Sequence, residues 1–295
     1  MMRTSAIRSL GRAVLGLGAL GVVSLGAARA WAAPGEHAAT FEPDWAATPA
    51  ARYANLGSEA CLQELARRSI KFERVAEARG VVTPVRVLDG VGGVVYRTAQ
   101  SRAKRAQSPW DVFDCRVVLA LDDFSAILRK HGVDEAIIFS GWRPPPKSWP
   151  ADKITVRHPA GMAVDIGQLG RPVPDPSPVQ PATMAGPAAA SPPPAPKPEP
   201  AASADAKAQK GAASRAREWL DFEKDFGGRV GAETCGPKAD PVGPPTSARG
   251  ELRAIVCEVA AARIFTSILT PNYNQAHHNH MHVDLTPKVR WRIVR

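Results

Sequence analysis

The chain has 295 residues, 44% of them hydrophobic and 22% charged, which is enough apolar content for a sizeable core in one or two domains. Outside the N-terminus no apolar run reaches bilayer-spanning length, so a polytopic membrane protein is excluded. The net charge is +10, but no aromatic-interleaved basic stripe accompanies it, and nucleic acid is not an expected partner.

Residues 1–33 read as a secretory signal. Arg3, Arg8 and Arg12 form a positive start, and Ala13 to Ala27 is an uncharged apolar stretch. Small residues then bracket cleavage sites at Ala28-Arg29-Ala30 or Ala30-Trp31-Ala32. Losing Arg3, Arg8, Arg12 and Arg29 leaves +6, a surplus that suits an anionic wall polymer. The protein is therefore expected to be exported, periplasmic or extracellular, with no stable membrane span after cleavage. In that oxidising setting Cys61, Cys115, Cys235 and Cys257, which form no C-x-x-C, read as structural disulfides. Four cysteines allow three pairings; Cys61–Cys115 with Cys235–Cys257 is the one expected.

Residues 34–52 are rich in Ala and Pro and read as a flexible lead-in to a domain over 53–295. Ser58 reads as the N-cap of a helix whose stripe is Cys61, Leu62, Leu65 and Ile70. The β-branched runs Thr83–Leu88 and Gly93–Thr98 around Asp89-Gly90 suggest a hairpin with an enlarged turn. Val117, Val118, Leu121, Phe124, Ile127 and Leu128 give a helical face ending at His131-Gly132, and Ala136–Phe139 reads as a short strand. Twelve of the 28 prolines fall between Pro172 and Pro200, so 171–214 is expected to be a disordered insertion. Helices near Arg215–Phe226 and Arg249–Leu269 and a strand at about Asn279–Leu285 complete the reading. The expected class is α+β: a small, mostly antiparallel sheet flanked by helices and interrupted by the insertion.

Five of the seven histidines lie in two short stretches, His158 to Gly167 and His277 to Leu285. Side chains alternate faces along a strand, so His280, His282 and Asp284 point one way and Met281, Val283 and Leu285 the other. In the same way Asp165 faces away from Val164 and Ile166. If the two strands are neighbours, imidazoles and a carboxylate gather on one face, where burying them unpaired is costly. A divalent metal resolves that cost, with His158, Asp165 and His282 as ligands for Zn²⁺ and a fourth position open. His280 is then placed for general base work, and Asp284 for orienting a histidine. Arg143 is a candidate cation for a carbonyl oxygen as it gains negative charge. The helical zincin motif is excluded, because His277 is followed by His278 rather than Glu. His37 and His131 read as ordinary polar residues.

The motifs Ser140-Gly141-Trp142-Arg143, His158-x-x-Gly161-x-Ala163-x-Asp165-Ile166 and His280-x-His282 resemble the D-Ala-D-Ala metallopeptidases. His277-x-x-His280-x-His282 is similar to the murein endopeptidases of that superfamily. From about Tyr53 to Leu285 the chain looks like the bacterial extensin-like C-terminal domain family, through Ala60-Cys61-Leu62, Asp114-Cys115 and Cys257 into Pro271-Asn272-Tyr273-Asn274. The chain departs from that pattern at Val156-Arg157, where Ser-Glu is common, and at Trp142, where a Cys is. The resemblance implies a zinc-dependent peptidase-like fold acting on peptidoglycan stem peptides, with the base role at His280 and an auxiliary site role for His277 and Arg143. Two other readings stand beside it: a non-catalytic cell-wall-binding domain that retains the metal site, and a periplasmic metal-binding protein using His277–His282.

Overall fold

The computed structural model describes residues 39–295 except 151, 153, 155, 174–215, 242, 243 and 245. The signal segment 1–33 and almost all of the insertion expected at 171–214 lie outside the described residues. In chain order the strands are β1 (Thr40–Phe41), β2 (Phe72–Arg74), β3 (Pro84–Val87), β4 (Val95–Thr98), β5 (Phe113–Asp114), β6 (Glu135–Ser140), β7 (Ala163–Pro172), β8 (Arg217–Asp221), β9 (Ser267–Leu269), β10 (Met281–Asp284) and β11 (Trp291–Val294). The α-helices are α1 (Pro49–Ala54), α2 (Ser58–Arg67), α3 (Arg102–Arg105), α4 (Cys115–Lys130) and α5 (Ala248–Ala262).

The α+β class holds, but the main sheet is larger and more mixed than expected. Among the described residues it has eight strands in the order β1-β11-β9-β10-β7-β6-β4, with β8 also on β7. The pairs β4–β6 and β9–β11 are parallel and the others antiparallel. A separate three-stranded sheet runs β2-β3-β5.

Helix α4 forms where its apolar stripe and caps agree. The Asp114 carboxylate accepts from the Arg116 backbone N–H at 3.0 Å, which satisfies one of the free donors of the first turn. Arg129 and Lys130 lie in the last turn, where the helix dipole favours cations, and Gly132 leaves at φ 73°. The body of α4, from Val117 to Leu128, lies in one core with Leu252, Ile255, Val256 and Val259 of α5 and with Ile138, Val164, Ile166, Met281 and Val283 of the sheet. The disulfide Cys61–Cys115 ties α2 to the start of α4, and Cys235–Cys257 ties a loop to α5, as expected. His131 bridges the two long helices, with Nδ1 2.7 Å from Glu251 and Nε2 3.4 Å from Glu258.

Several expectations are corrected. Within the segment read as a flexible lead-in, Trp45, Ala50 and Ala51 are buried in the core, because α1 lies against α4. Gly57, not Ser58, is the N-cap of α2; the Ser58 hydroxyl instead accepts from Thr83 Oγ1 at 2.8 Å. The runs around Asp89-Gly90 are not a hairpin. A tight turn with Val91 bonded to Val94, through Gly92 and Gly93 at positive φ, sends β3 into the small sheet and β4 onto β6. Residues 217–221 are strand, not helix, since β7 runs on through Arg171 and Pro172 and leaves its edge free for β8 in the register Pro172↔Arg217. The last helix stops at Ala262, where Arg263 turns left-handed at φ 53°, and Ser267–Leu269 pairs with β10 instead.

Candidate metal centre

The two histidine-bearing stretches are neighbours in the sheet. Strand β10 lies antiparallel to β7 with Met281↔Ile166, His282↔Asp165, Val283↔Val164 and Asp284↔Ala163 in register. The alternation then works as the sequence suggested: Val164, Ile166, Met281 and Val283 enter the helical core, and Asp165, His282 and Asp284 lie together on the opposite face. His158 reaches them from the short turn before β7. That turn closes at Gly161, whose φ is 65° and whose missing Cβ leaves room for the Asp114 backbone nitrogen, 2.9 Å from where a methyl would sit.

Three atoms converge. His158 Nε2 lies 3.1 Å from Asp165 Oδ1 and 3.2 Å from His282 Nδ1, and His282 Nδ1 lies 2.9 Å from Asp165 Oδ1. All three residues are buried. Each imidazole has its tautomer set from behind. His158 donates from Nδ1 to the Gly141 carbonyl at 2.7 Å, and His282 donates from Nε2 to Asp284 at 3.1 Å. The nitrogens left over, His158 Nε2 and His282 Nδ1, therefore face the anionic Asp165 oxygen, and on a neutral His282 its Nδ1 brings a lone pair to it. Three acceptors in such contact need a cation among them, either a proton on His282 or a metal ion. A tetrahedral ion with zinc-like bonds holds its ligand atoms about 3.3 Å apart, so the spacing found needs little adjustment to take one. Among the described residues this is the group of His, Cys, Asp and Glu side chains placed to hold a metal ion. The run His277–His282 does not form such a group: His278 turns to the Gln275 carbonyl at 2.8 Å.

Burial alone raises the Asp165 carboxyl, but its hydrogen bonds to His158 and His282 outweigh that and hold it well below the usual carboxylate range. Burial likewise disfavours charge on His282, yet its bonds to Asp165 and Asp284 win and raise it to about 9. His280 and His277 are governed by burial, with the neighbouring imidazoles adding to it, and both are lowered to about 4. His280 sits at the rim with Nε2 3.4 Å from Asp165 Oδ1, while its Nδ1 donates to Asn279 Oδ1 at 2.8 Å. Its Nε2 is thus left as a free base. His277 donates to Asn274 Oδ1 at 2.7 Å and reaches the site by ring contact, 5.1 Å from His280 and 5.8 Å from His282 between centroids.

Arg143 is also at the site, but it faces inward: Nε donates to Ser140 Oγ at 2.9 Å and Nη2 pairs with the second Asp165 oxygen. Four contributors escaped the sequence reading. Ser140 donates to Asp165 at 3.2 Å, and Gly141 supplies the carbonyl behind His158. Phe139 lies edge-on to His280 at 5.8 Å between centroids. Arg157 brings its Nε to 3.7 Å from Asp284. The Ser140–Arg143 motif pointed at the first two, and the departure at Val156-Arg157 marked the last without giving it a role; nothing local to the sequence marked Phe139.

The architecture is thus a mixed-sheet α+β domain with a buried His₂Asp cluster on the sheet face away from the helices. Residues 242–295 match the family model described as Extensin-like protein C-terminus. That match takes in His277, His280, His282 and Asp284 but not His158 or Asp165. No curated protein and no solved structure matches the chain.

Proposed function

We propose that this is an exported zinc-dependent, peptidase-like protein that hydrolyses amide bonds in peptidoglycan stem peptides. The observation that carries the reading is the preset donor triangle of His158, Asp165 and His282, with a neutral imidazole base beside it. An ion held there supplies Lewis acidity, polarising a peptide carbonyl and making water a nucleophile at neutral pH. His280 remains neutral at that pH and accepts the proton of the attacking water at Nε2. Arg143, half exposed while paired inward with Asp165, adds positive charge beside the site, and Ser140 holds the guanidinium in place. Asp284 and the Gly141 carbonyl keep both ligand histidines in the required tautomer. The two disulfides and the match to the extensin-like family are compatible with export, and no helix among the described residues is long and apolar enough to cross a membrane.

The test is metal content by mass spectrometry with digestion of purified peptidoglycan. Wild-type protein is expected to hold one zinc and release new amine ends. His158→Ala and His282→Ala lose both, and His280→Ala keeps the metal and loses turnover. Hydrolysis that survives complete chelation ends the proposal. The inward pairing of Arg143 with Asp165 favours a second reading, a non-catalytic wall-binding domain that retains the ion. It predicts binding to isolated sacculi with no new amine ends.

A further inference from the structure

A cavity of about 380 Å³, lined by none of the histidines, is walled by both sheets: by β2 and β3 of the small one, with Phe113 of β5, and by Tyr96 of β4. That volume is in the range of small-molecule sites. Its charged groups fall into two sets. Arg86, Glu73 and Asp89 are engaged. Arg86 Nη1 donates to the carbonyls of Arg105 at 2.8 Å and Ser108 at 3.0 Å, its Nε lies 3.4 Å from Glu73, and Asp89 pairs with Lys71 at 2.8 Å. Arg105 and Asp111, which line the same cavity, are not. The Arg105 Nε is buried with no partner, and among the described residues no carboxylate pairs with its guanidinium. Asp111 is 8% exposed. Among the described residues its oxygens are met by Thr98 alone, from the backbone N–H at 3.3 Å and the hydroxyl at 3.4 Å, longer than is usual for such bonds. Burial raises its carboxyl, opposed only in part by Thr98 and by the charges of Arg105 and Arg86.

A cation and an anion held in one cavity without pairing to each other are costly as they stand. The scaffold keeps them so. Arg86 fixes the backbone that carries Arg105, and the short turn Pro109–Asp111, capped by Ser108 Oγ on the Trp110 N–H at 3.1 Å, fixes Asp111. A ligand of one sign leaves the opposite group unpaired, whereas a ligand carrying both signs satisfies both, its carboxylate suited to the guanidinium fork. Val87, Tyr96 and Phe113 add apolar wall. We propose that this cavity binds the zwitterion of a free α-amino acid with an apolar side chain, its carboxylate on Arg105 and its ammonium on Asp111. This second site stands independently of the peptidase reading.

The test titrates L- and D-leucine calorimetrically into the protein, beside isocaproate, which lacks the ammonium, and isoamylamine, which lacks the carboxylate. One hand of leucine is expected to bind with Kd below about 1 mM and each analogue at least about tenfold more weakly, the scale of one charge-assisted pair. Arg105→Gln and Asp111→Asn each weaken leucine by at least about tenfold. Arg105→Gln removes no carboxylate partner within the protein and is expected to melt within about 2 °C of wild type, which separates recognition from folding. Leucine binds equally with zinc and with chelator present. No leucine binding, equal binding of either one-charge analogue, an affinity unchanged by Arg105→Gln or Asp111→Asn, or binding that requires zinc and so belongs to the metal centre each overturns the proposal.

Discussion

Asp284 is not among the three residues that converge, yet on the proposed reading the ligand nitrogen of His282 depends on it. Its Oδ2 accepts the Nε2 proton of His282 at 3.1 Å, its Oδ1 accepts from Thr286 Oγ1 at 3.2 Å, and the residue is fully buried. Removing such an outer partner of a metal-bound histidine weakens metal affinity by roughly 10–100-fold. Asp284→Asn keeps the shape and an accepting oxygen and loses only charge, so it belongs at the low end, about tenfold or about 1.4 kcal/mol. Asp284→Ala removes the acceptor and leaves either imidazole nitrogen free to carry the proton, which places it near 100-fold or about 2.7 kcal/mol. With zinc in thousandfold excess over its dissociation constant the wild type gains about 4.1 kcal/mol. At roughly 2–4 °C per kcal/mol for a domain of this size, the zinc-induced rise in Tm shrinks by about 3–6 °C in Asp284→Asn and about 5–11 °C in Asp284→Ala. Melting with and without zinc, beside chelator competition for Kd, measures both quantities. If the two variants fold and hold zinc within twofold of wild type, His282 is not the ligand described here.

Three further outcomes follow from the same geometry. Because His282 is raised to about 9 by Asp165 and Asp284, zinc must displace its proton at any lower pH. Affinity should then fall about tenfold per unit from pH 8 to 6, with about one proton released per ion in weakly buffered titrations; His277 and His280, lowered to about 4, add nothing in that window. A pH-independent affinity would contradict this. Gly167→Ala places a methyl 2.5 Å from the Phe139 ring, which lies edge-on to His280 and must shift from that contact; turnover should fall while zinc content holds, and loss of zinc instead would show that the strand itself had shifted. Opening Cys61–Cys115, which spans 54 residues, should cost about 4 kcal/mol, and opening Cys235–Cys257, which spans 22, about 3 kcal/mol. Paired Cys→Ser variants compared by thermal melting test that order.

What the sequence by itself determined is local. Although its Asp114 cap went unread, the stripe of α4 was legible, because apolar spacing acts within a few turns of chain. So was the two-faced character of β10, since alternation is a property of any extended strand: once Met281 and Val283 are buried, His282 and Asp284 face the other way. Tertiary structure decided whatever depends on a partner. Residues 217–221 are too few to declare themselves and became strand because β7 left an edge to pair with. Thr83–Leu88 and Gly93–Thr98 read as one hairpin and were separated because each found a better partner elsewhere, β5 and β6. The sequence placed Asp165 and His282 on strand faces that can meet, but the register His282↔Asp165 and the turn that presents His158 brought the three side chains together. Arg157 shows the same limit: the sequence marks it only as a departure before His158, and the turn that presents His158 is what puts its backbone in a glycine conformation. Periodicity is written along the chain; pairing and strain arise between segments far apart in it.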